Sequence, residues 1–281
     1  MDVGIIGYGA MARAIIPVLT GAGHRVQIWN RSGVGDDAIN TVQTVKELFN
    51  NDIILTLLAD DAAIRSVLLS SDIPDTPRSG LIHVVMSTIS TAFARELSSA
   101  HRRFGIAYLS APVLGRPDVA ANGQLNILAA GEAGDLFRAS PVLDAIAKKI
   151  WYLGREPPAA NAAKIAANMM IAMAIEAMAE ATVICEANEL SREDFFNVVL
   201  STIFAGRAYE SYSQQISRQA FEPGFKASLG LKDLRLASEA AWDAGRILPA
   251  LESVRQQMEK TVSASFGNRD WSVMADITIK G

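Results

Sequence analysis

The first half of the chain alternates short apolar runs with amphipathic stretches. Six of these runs are rich in Val, Ile and Leu and short enough to be strands covered on both faces of a parallel sheet. They occupy residues 3–6, 25–29, 52–57, 81–86, 106–109 and 125–129. Helical patterns lie between them, one of them over roughly 91–103. This alternation predicts a doubly wound α/β sheet that ends near Leu153.

From Pro157 onward the pattern is helical throughout. A stretch of about 30 residues, rich in Ala, Met and Ile, has no Gly or Pro until beyond Asn188. A helix that is apolar around much of its girth is buried on more than one side, so we expect it to join the domains and to contact a second copy in a homodimer. Charged and polar residues interrupt it, which disfavours a membrane span. We predict a dinucleotide-binding domain over 1–156 and an all-helical substrate and dimerisation domain over 157–281.

A glycine fingerprint connects the first strand to the first helix. Its sequence, Gly7-Tyr8-Gly9-Ala10-Met11-Ala12, has the G-x-G-x-x-A spacing of Rossmann dinucleotide-binding turns. Gly7 permits the tight turn, and Gly9 lets the backbone approach a pyrophosphate. The helix N-terminus at Ala10 and Met11 supplies N–H groups for the phosphates. One local conflict is Pro17, which should kink or end this helix.

The residues after the second strand favour NADP over NAD. An NAD site usually has an acidic residue there to bind the ribose 2′-hydroxyl. This chain has Asn30-Arg31-Ser32 instead, and no acidic residue until Asp36. The Arg31 guanidinium can stack on adenine and pair with a 2′-phosphate, which a carboxylate would repel. The alternative is a solvated loop arginine.

Composition narrows the class of protein. The net charge of −4 gives no support for nucleic-acid binding. Cys185 is the only cysteine, which indicates a reducing, cytoplasmic setting, and we expect a thiol packed in the core. The histidines His24, His83 and His101 lack metal-ligand or triad spacing and are interpreted as structural or exposed.

Lys164 and Asn168 are the candidate catalytic residues. They are four positions apart, so they project from one face of the predicted long helix. Burying an unpaired ammonium is costly. Near a nicotinamide, and with Lys232 or Arg116 close by, the lysine would exchange a proton with a substrate hydroxyl more readily. The alternative is a lysine that extends to solvent and an exposed asparagine.

An ordered series of motifs resembles the β-hydroxyacid dehydrogenase family, which includes 3-hydroxyisobutyrate dehydrogenases and glyoxylate and tartronate semialdehyde reductases. The resemblance covers nearly the whole chain. Its motifs are Gly4–Met11, Gly23-His24, Asn30–Ser32, Leu58–Asp61, Met86–Ser90, Ala111–Val113, Ala162–Lys164 with Asn168, Phe221–Phe225, Lys232–Leu234 and Asp270–Ser272.

The resemblance implies roles for these residues. Lys164 would be the general acid/base and Asn168 would bind substrate. Leu58, Ala59 and Thr88 would contact the cofactor, and Lys232 would close over cofactor and substrate. Asp233 is expected only to anchor its own helix through local hydrogen bonds.

The substrate loop departs from the family pattern. Val113 is followed by Leu114-Gly115-Arg116-Pro117, where the family usually has Ser-Gly-Gly. The serine hydroxyl that binds a substrate carboxylate is therefore missing, and Arg116 either replaces it or points to solvent. Leu114 makes the pocket more apolar. We expect an NADP(H)-dependent dehydrogenase or reductase of a β-hydroxyacid or short semialdehyde. The alternatives are an enzyme like the imine reductases, which generally lack the lysine, and a non-catalytic NADP-binding sensor.

Overall fold

The computed structural model describes residues 1–34, 40–69 and 77–281. The chain forms two compact units, Met1–Lys164 and Ile165–Gly281. Within the described residues, all strands lie in the first unit, and the second unit is helical. The expected fold class, a doubly wound sheet joined by a long helix to an all-α region, is confirmed. The domain boundary between residues 156 and 157 stays a prediction.

Five parallel strands form the main sheet. They are β1 (Asp2–Ile6), β2 (Arg25–Trp29), β3 (Ile53–Thr56), β4 (Ile82–Val85) and β5 (Ala107–Ser110). Their spatial order is β2-β1-β3-β4-β5. Because the neighbours of β1 are β2 on one side and β3 on the other, the strand order reverses there. Open parallel sheets bind ligands at such a reversal, beyond the carboxyl ends of the strands.

A second sheet has three strands, of which only the middle one is predicted from the sequence. The strands are β6 (Val113–Leu114), β7 (Leu125–Ala129) and β8 (Ala147–Tyr152). β7 pairs antiparallel with β6 and parallel with β8. The edge strand β8 carries the exposed residues Lys148 and Lys149, which is typical of edges protected against further pairing. These charges interrupt the apolar pattern by which a strand is recognised.

Six helices occur in the described part of the first unit before the long helix. They are α1 (Ala10–Gly21), α2 (Val45–Leu48), α3 (Asp61–Leu68), α4 (Thr91–Arg103), α5 (Pro117–Ala121) and α6 (Ala133–Ile146). The predicted bounds of α4 are confirmed. Asp60 caps α3, since its Oδ1 accepts a hydrogen bond of 2.7 Å from Ala63 N.

Of the two effects expected of Pro17, a kink in α1 or its end, the second does not occur. The helix continues for four residues beyond it, to Gly21. Pro17 cannot donate to the Arg13 carbonyl. Both residues are exposed, so water can reach this carbonyl and replace the missing donor.

Helices α7 to α12 make up the rest of the chain. They are α7 (Pro158–Glu186), α8 (Arg192–Thr202), α9 (Arg207–Arg218), α10 (Ala227–Asp243), α11 (Pro249–Thr261) and α12 (Met274–Lys280). A π-helical turn, Val262–Phe266, and a 3-10 turn, Trp271–Val273, separate the last two. Ser191 caps α8 by accepting a hydrogen bond from Asp194 N.

The long helix α7 contributes to the core of the second unit. By length and composition alone it is apolar enough to cross a membrane, a property that core helices share. Ile165, Ala172 and Ile175 are buried in one apolar cluster with Phe196 and Trp271. Packing within this cluster accounts for the apolar residues on the buried side of the helix.

Cys185 lies outside this core, so the expectation of a packed thiol is wrong. It is half-buried in the last turn of α7. The helix leaves the core after the buried Thr182, and both Val183 and Ile184 are exposed. An apolar sequence around a residue therefore did not guarantee its burial.

Candidate active site

The fingerprint turn has the geometry that a pyrophosphate requires. Gly7 adopts φ +103°, and a Cβ there would lie 2.6 Å from the Leu57 carbonyl oxygen, so only glycine fits. A Cβ at Gly9 would meet no described atom within 4 Å, so open space lies over the N-terminus of α1. Backbone N–H groups and the positive end of the helix dipole face such a space. The turn therefore fits the diphosphate of a dinucleotide.

Asn30 joins the fingerprint turn to the loop after β2. Its Oδ1 accepts a hydrogen bond from Tyr8 N at 3.3 Å, and its Nδ2 donates to the Gly33 carbonyl at 2.8 Å. Next to it, Arg31 Nη2 donates to Ser66 Oγ of α3 at 2.6 Å. Ser32 is exposed in the same loop. Asp36, the first acidic residue after β2, lies outside the described residues.

The turns after β3 and β4 are tied to each other. Leu58 N donates to Ser87 Oγ at 2.8 Å, and Ser90 Oγ donates to Asp61 at 2.5 Å. The predicted cofactor contacts in these turns follow the carboxyl ends of their strands. Ala59 is exposed and Thr88 is half-buried. The structure therefore brings Leu58, Ala59 and Thr88 to the same edge of the sheet as the fingerprint turn.

The predicted substrate loop forms β6 and the start of α5. Val113 is buried and Leu114 is half-buried. Gly115 adopts φ +151°, and a Cβ there would lie 2.7 Å from Leu125 Cδ2. Arg116 is the half-buried N-cap residue of α5, and Pro117 is its first residue. Proline is favoured at this first helical position, where an N–H has no intrahelical acceptor, so Pro117 interrupts no helical bond.

Leu114 reaches the helix that carries Lys164. Its side chain packs against an apolar cluster formed by Leu128, Ala130 and Ala160. Ala160 lies one helical turn before Lys164 on α7, and Lys164 is half-buried. Within the first unit, the structure therefore places the substrate loop against the turn that precedes the candidate catalytic lysine.

Asn161 and Ser110 were missed as site residues. Asn161 is 1% exposed, and its Nδ2 donates to Ser110 Oγ at 2.9 Å, so the first turn of α7 is tied to the end of β5. Asn161 Oδ1 is buried without a hydrogen-bond partner among the described residues. The available signal was a polar residue three positions before Lys164 in a run of alanines. It was overlooked because its partner is 51 residues away in the chain.

In the second unit, Asp233 orients Asn168 and contacts Lys232. Asn168 Nδ2 donates to Asp233 Oδ2 at 2.5 Å, and both residues are buried. Lys232 Nζ lies 3.0 Å from Asp233 Oδ1. This second contact is an ion pair without hydrogen-bond alignment, since no described group makes an aligned hydrogen bond to that oxygen. The expectation that Asp233 makes only local hydrogen bonds is wrong, because its partner Asn168 lies on another helix.

Asp270 connects two of the C-terminal motifs. Its Oδ2 accepts from Gly224 N at 3.1 Å and Phe225 N at 3.0 Å. Trp271 packs edge-to-face on Phe225, with ring centroids 4.8 Å apart. A Cβ on Gly230 would lie 2.9 Å from Trp271 Cε3, which explains the glycine in α10. These contacts fix the helix that carries Lys232.

Two of the three histidines form a buried pair in the first unit. His83 Nδ1 and His101 Nε2 are 2.7 Å apart, and Thr56 Oγ1 lies 2.7 Å from His83 Nε2. His101 Nδ1 lies 2.7 Å from the Leu97 carbonyl, which can only accept. Two neutral rings, each donating through Nδ1, satisfy this chain. In the described part of the chain, no three His, Cys, Asp or Glu side chains are grouped so as to hold a metal ion.

The comparisons with known proteins agree with this geometry. Residues 2–154 match the NAD binding domain of 6-phosphogluconate dehydrogenase, and residues 158–278 match the NAD-binding domain of NADP-dependent 3-hydroxyisobutyrate dehydrogenase. The chain is 35% identical to the uncharacterized oxidoreductase YfjR of Bacillus subtilis, with 98% of each protein covered. It is 26% identical to 2-hydroxy-3-oxopropionate reductase of Escherichia coli, over 96% of this chain and 94% of that protein.

A solved structure has a similar fold over nearly the whole chain. Mycobacterium tuberculosis 3-hydroxyisobutyrate dehydrogenase with L-serine matches with a TM-score of 0.90 and 28% identity, and 98% of each chain is covered. The fold and the fingerprint turn define a nicotinamide-dinucleotide-binding oxidoreductase. The chain belongs to the β-hydroxyacid dehydrogenase family. It is an NAD(P)-dependent dehydrogenase or reductase of the class that acts on CH–OH groups.

Proposed function

We propose that the protein is an NADPH-dependent reductase of a short semialdehyde or other aldehyde acid, and the reverse dehydrogenase of the β-hydroxyacid. The start of α7 carries this proposal. There the half-buried Lys164 lies one turn after Ala160, which belongs to the apolar cluster against which Leu114 of the substrate loop packs. An ammonium at this position can donate a proton to the oxygen of a carbonyl bound beside it.

Lys164 is the proposed general acid in reduction and the general base in oxidation. NADPH, when bound, supplies the hydride to the carbonyl carbon. Asn168 lies one turn further along α7 and is proposed to hold the substrate. Its Nδ2 donates to Asp233, which orients the amide so that Oδ1 points away from that carboxylate. An acceptor oriented in this way suits the hydroxyl group of the β-hydroxyacid.

Arg116 is proposed to bind the substrate carboxylate in place of the absent serine. A guanidinium can present two parallel N–H donors and a positive charge to a carboxylate, and both favour an anion. Leu114, which packs against the cluster of Leu128, Ala130 and Ala160, would make one wall of the proposed substrate site apolar. This combination favours an aldehyde acid with an apolar substituent over a compact, fully polar one.

Arg31 is proposed to select NADPH by pairing with the 2′-phosphate. Gly7, Gly9, Ala10 and Met11 would hold the pyrophosphate, with Leu58, Ala59, Thr88 and Lys232 as further cofactor contacts. The described side chains of the β2 loop, Asn30, Arg31 and Ser32, include no carboxylate that would repel a 2′-phosphate. NAD is the less favoured cofactor.

We also propose that the enzyme is a cytoplasmic homodimer. Several apolar side chains on α7 are exposed in the single chain, among them Met170 and Ile184, which are 66% and 67% exposed. A second copy would cover them. Light scattering of the purified protein tests this proposal, since a monomeric mass at micromolar concentration would contradict it.

The test is NADPH oxidation by purified protein with a panel of carbonyl substrates. The panel contains glyoxylate, succinic and methylmalonate semialdehydes, apolar aldehydes and a cyclic imine, each repeated with NADH. We expect turnover of aldehyde acids with NADPH preferred. Lys164→Ala should lower kcat by about a hundredfold to ten-thousandfold while NADPH still binds.

Lys148→Ala is the matched control, since it removes an exposed lysine of the same unit and should retain turnover. Equal rates for wild type and Lys164→Ala would refute the lysine mechanism. Turnover of imines alone would favour the imine reductase alternative, to which the apolar Leu114 lends support. NADPH binding with no turnover of any substrate would favour a sensor.

A further inference from the structure

We propose that Ser66 is a cofactor-specificity residue that holds Arg31 in the position for binding a 2′-phosphate. This inference rests on the proposed preference for NADPH. Ser66 lies on an exposed face of α3, 35 residues from Arg31 in the chain, and none of the sequence motifs includes it. The hydrogen bond between these two side chains is the observation from which the argument starts.

The hydroxyl of Ser66 has a defined direction. Its Oγ donates to the Ala63 carbonyl at 2.9 Å and accepts from Arg31 Nη2 at 2.6 Å. Since the hydroxyl proton is directed to a backbone oxygen, a lone pair of Oγ faces the guanidinium. A serine that is oriented by its own helix is therefore a fixed acceptor for one of the five N–H donors of Arg31.

The backbone next to Arg31 is held independently. Asn30 bonds to Tyr8 N on one side and to the Gly33 carbonyl on the other. Arg31 is thus restrained at its main chain by Asn30 and at the end of its side chain by Ser66. A long arginine side chain loses much of its rotamer freedom when it is ordered. A guanidinium that is already ordered by Ser66 loses less of this freedom when a phosphate binds.

The chemistry of the anchor also matters for selectivity. A serine hydroxyl is neutral, so it orients the guanidinium without neutralising its charge. A carboxylate at the same position would form an ion pair with Arg31 and would repel a 2′-phosphate. The neighbouring Arg65 shows this arrangement, because its guanidinium is paired with both oxygens of Glu96 at 2.5 and 2.6 Å. Arg65 is therefore directed to α4, with its charge paired by Glu96. Arg31, in contrast, is anchored by an uncharged hydroxyl.

Binding of two nucleotides to the full-length protein tests the proposal without turnover. The probes are 2′,5′-ADP, which carries the 2′-phosphate, and ADP, which lacks it, with affinities measured by calorimetry. Ser66→Ala should weaken 2′,5′-ADP binding by about three- to tenfold, the range that corresponds to the net contribution of one ordinary hydrogen bond. The affinity for ADP should change by less than about twofold. Ser66→Thr, which keeps the hydroxyl, should restore wild-type discrimination, whereas Ser66→Glu should lower it further than Ser66→Ala.

Arg65→Ala is the matched control, because it removes a cation from the same helix without touching Arg31. It should preserve the ratio of the two affinities. If Ser66→Ala strengthens the binding of both nucleotides, the hydrogen bond between Arg31 and Ser66 blocks the nucleotide site instead of ordering the guanidinium, and the proposal is overturned. If the ratio of the affinities for 2′,5′-ADP and ADP is unchanged in Ser66→Ala but reduced in Arg31→Ala, the role of Ser66 is refuted and that of Arg31 stands. An unchanged ratio in Arg31→Ala refutes the underlying preference for NADPH.

Discussion

The buried pair of His83 and His101 should make the protein sensitive to acid. Both rings are fully buried, and each makes short hydrogen bonds that neutral imidazoles satisfy. Burial lowers the pKa of His101 from 6.5 to about 4. Burial, together with the proximity of His101, also lowers the pKa of His83 well below 6.5. Protonation of either ring is therefore disfavoured in the folded state.

The sign and size of the effect follow from these pKa values. Above pH 6.5 neither state binds these protons, and the stability does not depend on them. Below pH 6.5 the unfolded histidines take up protons and the folded ones do not, so the free energy of unfolding falls as the pH approaches 4. For His101 alone the loss is about 3 kcal/mol, and His83 adds to it in the same direction. This loss is a large part of a typical folding stability of about 5–15 kcal/mol.

Urea unfolding at several pH values between 7 and 4 measures this effect. His101→Gln removes one titrating group, and His24→Gln is the matched control because it replaces a half-buried histidine outside the pair. Carboxylates contribute to the acid dependence of all three proteins, so the slopes are compared and not the absolute stabilities. We expect a shallower slope for His101→Gln than for wild type and for His24→Gln. Equal slopes for wild type and His101→Gln would show that the pair is not kept neutral by burial.

Two further substitutions test contacts in the second unit. In thermal melts, Gly230→Ala should destabilise the protein by about 1–3 kcal/mol, because the new methyl group would overlap Trp271. Gly134→Ala in α6 has open space around its Cβ, so it should be neutral or slightly stabilising in the same melts. Asp233→Asn should lower kcat/KM by about tenfold, because it removes the charged acceptor that orients Asn168, and a change confined to melting temperature would contradict this role.

Local sequence signals identified the elements around the cofactor turn. The buried runs of β3 and β4 are recognisable because a central parallel strand needs apolar side chains on both faces. Gly7 is required by its own backbone angle and by the carbonyl beside it, so the fingerprint is visible in a few consecutive residues. The edge strand β8 was missed because its side chains are exposed or half-buried, so they need not be apolar.

The polar contacts of the candidate site could not be predicted in the same way. The bonds from Asn168 to Asp233, from Asn161 to Ser110 and from Arg31 to Ser66 join residues 65, 51 and 35 positions apart. Nothing in the sequence near either partner specifies the other. The periodic pattern of apolar residues identifies which faces are buried. A side-chain hydrogen bond, in contrast, forms only within a range of a few tenths of an ångström in the donor–acceptor distance.

By itself, the sequence determined the five strands of the main sheet, the dinucleotide turn and the four-residue spacing of Lys164 and Asn168, because these depend on residues close together in the chain. Tertiary structure alone decided that Asp233 faces Asn168, that Leu114 packs beside the turn before Lys164, and that α1 continues through Pro17. Each of these outcomes depends on which surfaces meet, or on which carbonyl groups water reaches, after distant segments have packed.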